Sequence, residues 1–544
     1  MIGTLRFRQV LGGALAGVLL AVPASAQNDE RNPVVTAAVQ VTDDPDPVRA
    51  HSSPQIVRNP DNGELVVGET EVYHDFGINV RISADDGRSW FRGGDPMTEP
   101  FTWTSDYAIN GPYFTMAVDD EAGLYMAFTA TDPRFADLNR AERPRSVFLA
   151  RSTDGGRSFT TSFVYRVPEG DPTVVNNRRA MVAIDPNDAS KVYVTWMQST
   201  SAQKAKSLVA ASADGGRTFG EPVDLAEPVE IGGYQGRPAV GPDGVVHVIF
   251  PGAGFTAQGP PGAPEPEDPI RPLFYRRSTD EGRTWSPVAE IDPGNAGFGH
   301  GRKHLLAADP GSGTLYAVWY GSPKTRPELL DDTDVYLRAS SDGGTTWSNR
   351  VTVNDPVDAG GPERQGARQY DPGISIAPDG RVDIAWYDFR NSPVPESDAD
   401  GPPFNHGGFQ DVYYASSSDG GKTFGPDVRI SDRIIDRRFG VWSNNVHSHY
   451  NVGVASSNES VYFAWQDTRN GSNLTNSEDV YFASLKWDAP VGSEAGQSSD
   501  GVPTWMAALT AMAMGMGIAA LVALAVLRRV GSGSKTAPPT PATS

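Results

Sequence analysis

An eight-residue pattern, Ser-x-Asp-x-Gly-x-x-Trp/Phe, occurs six times in this 544-residue chain and constrains its fold more than any other feature. The copies begin at residues 83, 152, 212, 278, 340 and 417. They therefore define repeat units of roughly 60–75 residues, a self-similarity that is typical of solenoids and propellers. Ser and Asp side chains bond nearby backbone N–H groups and Gly adopts positive φ, so the pattern predicts one tight turn per unit.

The residues around each copy predict four strands per unit. Residues 373–386 alternate between apolar and polar positions on either side of a Pro-Asp-Gly turn, which indicates a two-strand hairpin. A third strand at 411–416 leads into the pattern, and a fourth at 427–432 leaves it. Counting first strands gives seven units, which begin near residues 54, 114, 180, 236, 304, 372 and 450.

The seventh unit, which ends at Trp487, contains neither the pattern nor a fourth strand. Residues 38–43 (Ala-Val-Gln-Val-Thr-Asp) read like the fourth strand at 427–432. We predict that this N-terminal strand completes the last blade, since an open ring would expose sheet edges. The fold class is therefore predicted to be all-β: a β-propeller of four-stranded blades, seven in number, with six as the alternative.

The repeated pattern resembles the Asp-box, or bacterial neuraminidase repeat (BNR), of the sialidase-like propellers. The resemblance extends over residues 34–487 and implies that the boxes lie on outer turns, away from the ligand face. It therefore assigns a structural role to the box aspartates, Asp85, Asp154, Asp214, Asp280, Asp342 and Asp419. The enzymes of the family have six blades, so a count of seven is a departure.

Both ends of the chain carry predicted targeting segments. Residues 1–26 combine Arg6 and Arg8 with an apolar run and Ala-Ser-Ala, the pattern of a secretory signal peptide. Residues 504–527 form an uncharged apolar stretch long enough to cross a bilayer, and the two arginines that follow place residues 528–544 in the cytoplasm. Residues 488–503 resemble a flexible stalk. We expect a single-pass protein of the cell membrane with its propeller outside, and whether the C-terminal helix is retained or processed stays open.

The net charge of −21 disfavours nucleic acid and anionic membrane surfaces as partners. The chain contains no Cys, which is compatible with ring closure by a shared strand. No cofactor is expected. The partner that we predict is an extracellular glycan or glycoprotein, besides the membrane itself, and the oligomeric state stays open.

The innermost strands of a propeller converge on its axis, and the residues at their entrances surround the axial pocket. Alignment of the seven units on the turn after each first strand gives a column that we call the axial ring: Ser53, Tyr113, Arg179, Gln235, Lys303, Asp371 and His449. The preceding column holds Ser52, Pro112, Arg178, Tyr234, Arg302, Tyr370 and Ser448. Clusters of charged and hydrogen-bonding groups of this kind are typical of binding sites, although a solvated rim would also be polar. A shift of one residue in register would exchange the two columns.

Site roles follow partly from the family resemblance. Sialidases use a Tyr nucleophile assisted by Glu, an Asp acid/base and three Arg that clamp the substrate carboxylate, the first of them in an Arg-Ile-Pro motif. Here the matching stretch is Ser52-Ser53-Pro54, so that arginine is absent. The catalytic candidates are Asp371, Tyr370 and Glu71. The substrate-binding candidates are Arg179, Arg302, Lys303, Arg368, Gln235, His449 and Tyr113.

Two further features have a structural and a functional interpretation. His447 and His449 could bind a metal with Asp371, but no tight ligand spacing supports this, so no metal is predicted. The segments 386–391 and 465–470 share a Trp-x-Asp-x-Arg-Asn pattern. We expect the Asp and Arg of each to form a surface pair that pins a loop.

Three functions fit the sequence. The first is a cell-surface glycoside hydrolase, an exo-glycosidase of sialidase-like architecture. The second is a non-catalytic receptor or adhesin that binds a glycan or a protein. The third is a structural envelope protein that makes its contacts through long inserts such as 256–272 and 392–410.

Overall fold

The computed structural model describes residues 33–71, 77–97, 114–131, 144–168, 176–199, 205–229, 232–252, 272–293, 304–321, 333–356, 369–392, 408–440 and 452–487. All of them belong to one of two units of the chain, Met1–Asp488, and residues 489–544 lie outside the described part. Within the described ranges there is no α-helix, and so none that could cross a membrane. The predicted signal peptide, stalk, transmembrane helix and tail all fall outside them.

Thirty strands form seven antiparallel sheets in the described residues. The chain starts with β1 (Pro33–Val35) and β2 (Val39–Gln40). Blade 1 consists of β3 (His51–Arg58), β4 (Leu65–Glu71), β5 (Ile78–Ser83) and β6 (Phe91–Arg92). Blade 2 consists of β7 (Phe114–Val118), β8 (Leu124–Thr131), β9 (Arg145–Ser152) and β10 (Thr160–Tyr165). Blade 3 consists of β11 (Asn176–Asp185), β12 (Asp188–Ser199), β13 (Lys206–Ser212) and β14 (Val223–Asp224).

The remaining blades follow the same order. Blade 4 consists of β15 (Arg237–Val240), β16 (Val246–Pro251), β17 (Leu273–Ser278) and β18 (Ala289–Asp292). Blade 5 consists of β19 (His304–Ala308), β20 (Leu315–Gly321), β21 (Asp334–Ser340) and β22 (Val351–Thr352). Blade 6 consists of β23 (Gln369–Ile376), β24 (Val382–Asp388), β25 (Phe409–Ser417) and β26 (Val428–Arg429), with β27 (Ile435–Asp436) also paired to β25. Blade 7 contains β28 (Gly453–Ser456), β29 (Ser460–Asp467) and β30 (Asp479–Trp487).

The seven first strands close a ring. Strands β3, β7, β11, β15, β19, β23 and β28 contact one another in that order, and β28 contacts β3 again. The structure therefore confirms seven blades and excludes the alternative of six. Because the second strand of each blade lies between two neighbouring blades, it is buried on both faces, as the all-buried β20, β24 and β29 show. The alternation that predicted the strand at 382–386 therefore does not separate a buried from an exposed face, since Asp383 of β24 is buried as well.

The predicted closure by an N-terminal strand is also confirmed. Both β1 and β2 pair antiparallel with β30, with Pro33 opposite Trp487 and Val39 opposite Phe482. The strand predicted over residues 38–43 is thus realised as β2, and β1 extends the pairing toward the N-terminus. Beyond β2, the Arg49 guanidinium donates to both Asp479 carboxylate oxygens, at 2.6 and 2.8 Å. The ring is closed by backbone pairing and by a charged bond.

The six Asp-boxes have one common geometry between the third and fourth strands of blades 1–6. In the first, the Ser83 hydroxyl donates to Asp85 Oδ1 (2.8 Å) and accepts from the Gly87 N–H (2.8 Å). The Ser89 hydroxyl and N–H donate to the two oxygens of Asp85, at 2.6 and 2.9 Å. The other five boxes repeat these bonds with a Ser or Thr at the seventh position, Ser158, Thr218, Thr284, Thr346 and Thr423. The repeated pattern Ser-x-Asp-x-Gly-x-x-Trp/Phe does not specify this hydroxyl position.

Each box also contacts the neighbouring blade. A Cβ added to Gly87 would lie 2.0 Å from the Phe482 ring of blade 7, and one added to Gly344 would lie 2.1 Å from the Tyr275 hydroxyl of blade 4. The final aromatic of the first box, Trp90, is partly buried and sits edge-on to Phe482, with ring centroids 5.3 Å apart. The boxes are therefore inter-blade contacts as well as turns.

The Trp-x-Asp-x-Arg-Asn elements correct one prediction. Asp388 and Asp467 are fully buried, so the Asp–Arg pairs are not surface pairs. In blade 6 the Asp388 carboxylate accepts from Trp386 Nε1 (2.9 Å) and from Arg390 Nη2 (2.7 Å). The same bonds occur around Asp467, from Trp465 and Arg469. Because the indole of each motif is itself buried in the core, its carboxylate partner is drawn inside with it. The motif therefore has a structural role, as predicted, but its Asp–Arg pair lies in the protein interior and not on the surface.

Candidate axial site

Three members of the axial ring have strained backbone. Ser53, Arg179 and Asp371 have φ of 59°, 62° and 54°, in the left-handed region that residues other than Gly rarely adopt. Each lies where the register between the first and second strands shifts: between Ser52 and Gln55, Arg178 and Met181, and Tyr370 and Gly373. Such bulges re-aim side chains and are frequent beside active sites. The strain costs about 1–3 kcal/mol per residue and is concentrated at functional sites.

The described ring members are mostly enclosed. Ser53, Gln235 and Asp371 are buried, and Arg179 has intermediate exposure. In the preceding column, Ser52, Tyr234 and Tyr370 are buried, while Arg178 is exposed. Because of the bulges, residues of both columns lie inside in blades 1 and 6. The candidates Tyr113, Arg302, Lys303, Arg368 and His449 lie outside the described residues, as does His447.

On the blade 3–4 side, ring residues contact one another directly. Arg179 Nη1 donates to Gln235 Oε1 at 3.2 Å, and the Arg179 guanidinium lies 5.3 Å from the centroid of the Tyr234 ring. A ring nitrogen of His304, Nε2, lies 3.0 Å from the Gln235 carbonyl oxygen. The predicted adjacency of Arg179 and Gln235 is therefore present, and Tyr234 contributes a cation–π contact that the sequence did not assign.

On the blade 6–7 side, Tyr370 begins a network of phenols and amides. The Tyr370 hydroxyl donates to Gln410 Oε1, and its ring stacks on Tyr387, with centroids 5.7 Å apart. The Tyr387 hydroxyl accepts from the Gln466 N–H at 3.2 Å. Gln466 Oε1 in turn accepts from the Ser53 N–H at 3.3 Å. A continuous path of contacts thus joins the ring positions of blades 6 and 1.

Arg437 completes this network and was not a predicted site residue. Its Nη1 donates to Glu478 Oε1 at 2.6 Å, and its side chain is 1% exposed. Burial opposes the charged guanidinium, but the hydrogen bond and charge of the Glu478 carboxylate outweigh it and raise the pKa of Arg437. Burial chiefly raises the pKa of Tyr387, while Arg437 acts in the opposite direction. Arg437 follows β27 in a connecting segment, where no repeat pattern could have indicated it.

Buried donors of this network lack acceptors. Among the described residues, no hydrogen-bond partner exists for Arg437 Nε and Nη2, Gln466 Nε2 or Gln410 Nε2. The orientation of Gln466 is fixed, because its Oε1 must face the Ser53 N–H. A buried donor without an acceptor lowers stability by about 1–3 kcal/mol, so the presence of several such donors in one network requires an explanation.

Glu71, the third catalytic candidate, lies in blade 1 opposite His51. His51 Nδ1 lies 3.1 Å from Glu69 Oε2, and all three side chains are buried. Burial opposes the charged imidazolium, but the carboxylates of Glu69, Asp479 and Glu71 outweigh it and raise the pKa of His51. The contact of Glu71 with the Tyr370–Asp371 pair stays a prediction. Its observed electrostatic neighbour is His51.

No group of three His, Cys, Asp or Glu side chains that could hold a metal occurs in the described residues. The metal interpretation of His447, His449 and Asp371 rests partly on residues outside that part of the chain.

Comparison with known proteins gives structural neighbours only. No family model and no curated protein matches the sequence. An α-L-arabinanase of Penicillium chrysogenum in complex with arabinobiose is 14% identical with a TM-score of 0.42, over 65% of this chain and 94% of that chain. An endosialidase of phage phi92 is 11% identical with a TM-score of 0.43, over 86% of this chain and 71% of that chain. An ulvan lyase from a new family of polysaccharide lyases is 12% identical with a TM-score of 0.43, over 80% and 93%. At these values the similarity has no bearing on activity, and membership of the Asp-box family stays a prediction.

Proposed function

We propose that this protein is a cell-surface propeller that acts on glycans through its axial site, as an exo-glycosidase of sialidase-like architecture. The observation that supports it best is a set of buried donors in the blade 6–7 network for which the described part of the chain offers no acceptor: Arg437 Nε and Nη2 and Gln466 Nε2. Gln466 accepts from the N–H of the strained ring residue Ser53, and Tyr387 lies within electrostatic range of both Arg437 and the strained Asp371. The surface setting rests on the predicted signal peptide and C-terminal helix.

The chemistry of the network suits an oxygen-rich neutral or acidic ligand. Planar guanidinium and amide groups bind hydroxyl, carbonyl and carboxylate oxygens, and the unpaired donors of Arg437 and Gln466 require acceptors of that kind. The carboxylates of Glu478 and Asp371 can accept hydrogen bonds from sugar hydroxyl groups. Stacked rings of Tyr370, Tyr387 and Phe389 add apolar faces, with the Tyr370 and Phe389 centroids 5.3 Å apart.

In the hydrolytic proposal, Asp371 serves as general acid and base. Its position at a bulge with left-handed backbone fixes its direction, and general acid–base catalysis typically contributes about 10²- to 10⁴-fold. Tyr370 would be the nucleophile and Glu71 its assistant, as the family resemblance implies. Arg179 and Gln235, with Arg302, Lys303, Arg368, His449 and Tyr113, would bind the rest of the glycan.

One observation favours a second candidate, a non-catalytic receptor for a glycan or a protein. The Tyr370 hydroxyl donates to the neutral amide of Gln410, whereas a nucleophile would be activated by a base. In that case the same donors would bind a ligand without turnover.

The test is glycosidase activity of the purified full-length protein on a panel of fluorogenic glycosides that includes sialosides, beside the variant Asp371→Asn. Asn tolerates left-handed backbone, so the bulge should persist. The matched control is Asp86→Asn, because Asp86 also has a positive φ (58°) but lies in an outer Asp-box. Turnover by the wild type and Asp86→Asn that falls at least about 100-fold in Asp371→Asn supports the hydrolase. Saturable binding on a glycan array without turnover supports the receptor, and silence in both assays refutes a glycan role.

A further inference from the structure

Three Asn-x-Ser/Thr tripeptides occur in the sequence, and all of them lie in blade 7. They begin at Asn458, Asn470 and Asn473. Such a tripeptide is the acceptor of N-linked glycosylation in exported proteins, in which the sugar is attached to the Asn amide nitrogen and the third residue supplies a hydroxyl. The sequence alone does not distinguish between the three. The folded chain does, because an attached glycan must project from the surface.

The amide group of Asn470 is already engaged in hydrogen bonds. Its Nδ2 atom donates to Asp479 Oδ2 at 2.8 Å and to the Tyr481 hydroxyl at 3.0 Å. It also lies 3.2 Å from Gln40 Oε1 in β2, and Asp479 is itself bound by Arg49, so these bonds belong to the closure of the ring. A glycan on this nitrogen would replace one of its two hydrogens by a bulky group and disrupt the closure contacts. The fold therefore disfavours Asn470 as the acceptor.

Asn458 lies in the turn between β28 and β29 and is held against blade 6. Its side-chain Oδ1 accepts from the Asp379 N–H at 3.0 Å, and its backbone carbonyl accepts from Arg381 Nη1 at 3.1 Å. The hydroxyl-bearing residue of this tripeptide, Ser460, is only 3% exposed. The bonded side chain and the enclosed hydroxyl disfavour this tripeptide as well.

Asn473 differs from both. It is exposed, and its side chain makes no hydrogen bond to the part of the chain that the structure describes. The next residue, Leu474, is 93% exposed, so the tripeptide projects into solvent. The Thr475 hydroxyl lies in a partly exposed residue, 3.1 Å from the Ser472 hydroxyl. A glycan on Asn473 would therefore break no described bond of its side chain.

We infer that Asn473 carries an N-linked glycan. In this modification the amide nitrogen of Asn473 attacks the anomeric carbon of a sugar carried on a polyprenyl phosphate or diphosphate. A C–N bond forms, and the bond between the anomeric carbon and the phosphate oxygen breaks. The lipid phosphate leaves, and the amide nitrogen gives up one proton to a base of the transferase that the producing cell supplies. Export through the predicted signal peptide would bring the chain to this donor, and the axial site takes no part in the step.

The experiment is tandem mass spectrometry of the full-length protein purified from the cells that naturally produce it. Trypsin cleaves after Arg469 and Lys486, so one peptide, 470–486, contains both Asn470 and Asn473. Electron-transfer fragmentation keeps the sugar attached and assigns the added mass to one of the two. We expect a mass increase of whole sugar residues on Asn473 in most copies, with Asn470 and Asn458 unmodified. An unmodified Asn473, or a glycan on either of the other two instead, overturns the inference.

Two variants produced in the same cells test whether the attachment depends on the tripeptide. Thr475→Ala removes the acceptor hydroxyl, whereas Thr475→Ser retains it and is the matched control. We expect Thr475→Ala to lose the added mass at Asn473 completely and Thr475→Ser to keep it. Retention of the mass in Thr475→Ala, or its loss in both variants, contradicts N-linked attachment through this tripeptide. The measurement on the unchanged protein does not depend on whether either variant folds.

Discussion

The Asp-boxes and the axial site are both built from polar side chains, but the two regions differ in how fully the hydrogen-bonding groups of these side chains are paired. In the boxes every Asp oxygen accepts from fixed donors of its own turn, and the arrangement recurs in six blades. In the axial site, Arg437 and Gln466 keep buried donors that have no acceptor among the described residues, and no two blades contribute the same residue type to the described ring positions. Repetition with complete bonding indicates a structural role. Variation between blades together with incomplete hydrogen bonding indicates a ligand-binding role.

Backbone strain shows the same contrast. The residue before the box glycine is left-handed in all six boxes, and in four of them it is itself Gly: Gly155, Gly215, Gly343 and Gly420. At the ring, the left-handed positions of blades 1, 3 and 6 hold Ser53, Arg179 and Asp371. Glycine would relieve strain there as well, yet polar side chains occupy these positions. The side chain is therefore what the ring positions require.

The largest expected effect is a loss of stability at a box. In Gly344→Ala the new Cβ would lie 2.1 Å from the Tyr275 hydroxyl at a φ of 80°. That hydroxyl is fixed between His247 Nδ1 (2.7 Å) and the Gly343 carbonyl (3.0 Å), so it cannot move aside without losing both bonds. We expect unfolding free energy to fall by about 3 kcal/mol in chemical denaturation.

The control for this prediction is Gly220→Ala, where the nearest atom to an added Cβ is the Ala211 carbonyl oxygen at 3.8 Å and no positive φ is required. It should change stability by less than about 0.5 kcal/mol. Similar losses in the two variants would show that the boxes are not tight inter-blade contacts.

The next effect concerns the axial site. Arg437→Lys keeps a cation beside Glu478 but removes the planar Nε and Nη2 donors. Retention on the glycan array should fall by about 10-fold or more, because a hydrogen bond to a charged group is worth about 1.5–3 kcal/mol. Arg217→Lys in a box is the matched control and should bind like the wild type. Unchanged binding by Arg437→Lys would exclude the unsatisfied donors from ligand recognition.

The sequence predicted the fold well because the fold depends on repetition. Seven units, four strands and closure through β2 all follow from spacing and alternation. The site was predictable only where alignment of the units reached it, as for Arg179, Gln235 and Asp371. Gln466 and Arg437 could not be found this way, since the first is an unmatched position within a structural motif and the second follows β27 outside the repeat. The burial of Asp388 was also missed: its bond to Trp386 is local, but the burial of the whole of β24 depends on packing against neighbouring strands, which a local pattern does not show.

A smaller effect is expected from acid. Burial alone would raise the pKa of Asp214, but the hydrogen bonds that its carboxylate accepts outweigh burial and lower the pKa to about 2. The pKa of an Asp in an unfolded chain is about 3.9. The folded pKa is the lower one, so the stabilisation is complete above about pH 4 and is lost as pH falls toward 2. Asp214→Asn should therefore lower Tm at pH 6 and flatten its dependence between pH 4 and 2. Parallel Tm curves for the two proteins over that range would contradict a charged Asp in the box.

The smallest expected effect separates strain from function. Ser53→Gly and Asp86→Gly each replace a residue with left-handed backbone, at φ of 59° and 58°. Each should change the unfolding free energy by less than about 1 kcal/mol, because the relief of backbone strain offsets the greater entropy of the unfolded chain. Gly already occupies the position of Asp86 in four other boxes, so Asp86→Gly should leave glycan binding unchanged. Ser53→Gly keeps the N–H that Gln466 accepts but removes the hydroxyl at the ring and loosens the bulge. If Ser53→Gly binds the glycan array more weakly at an equal Tm, the strained backbone of Ser53 serves ligand binding. If both variants bind equally, the bulge of blade 1 has a purely structural role.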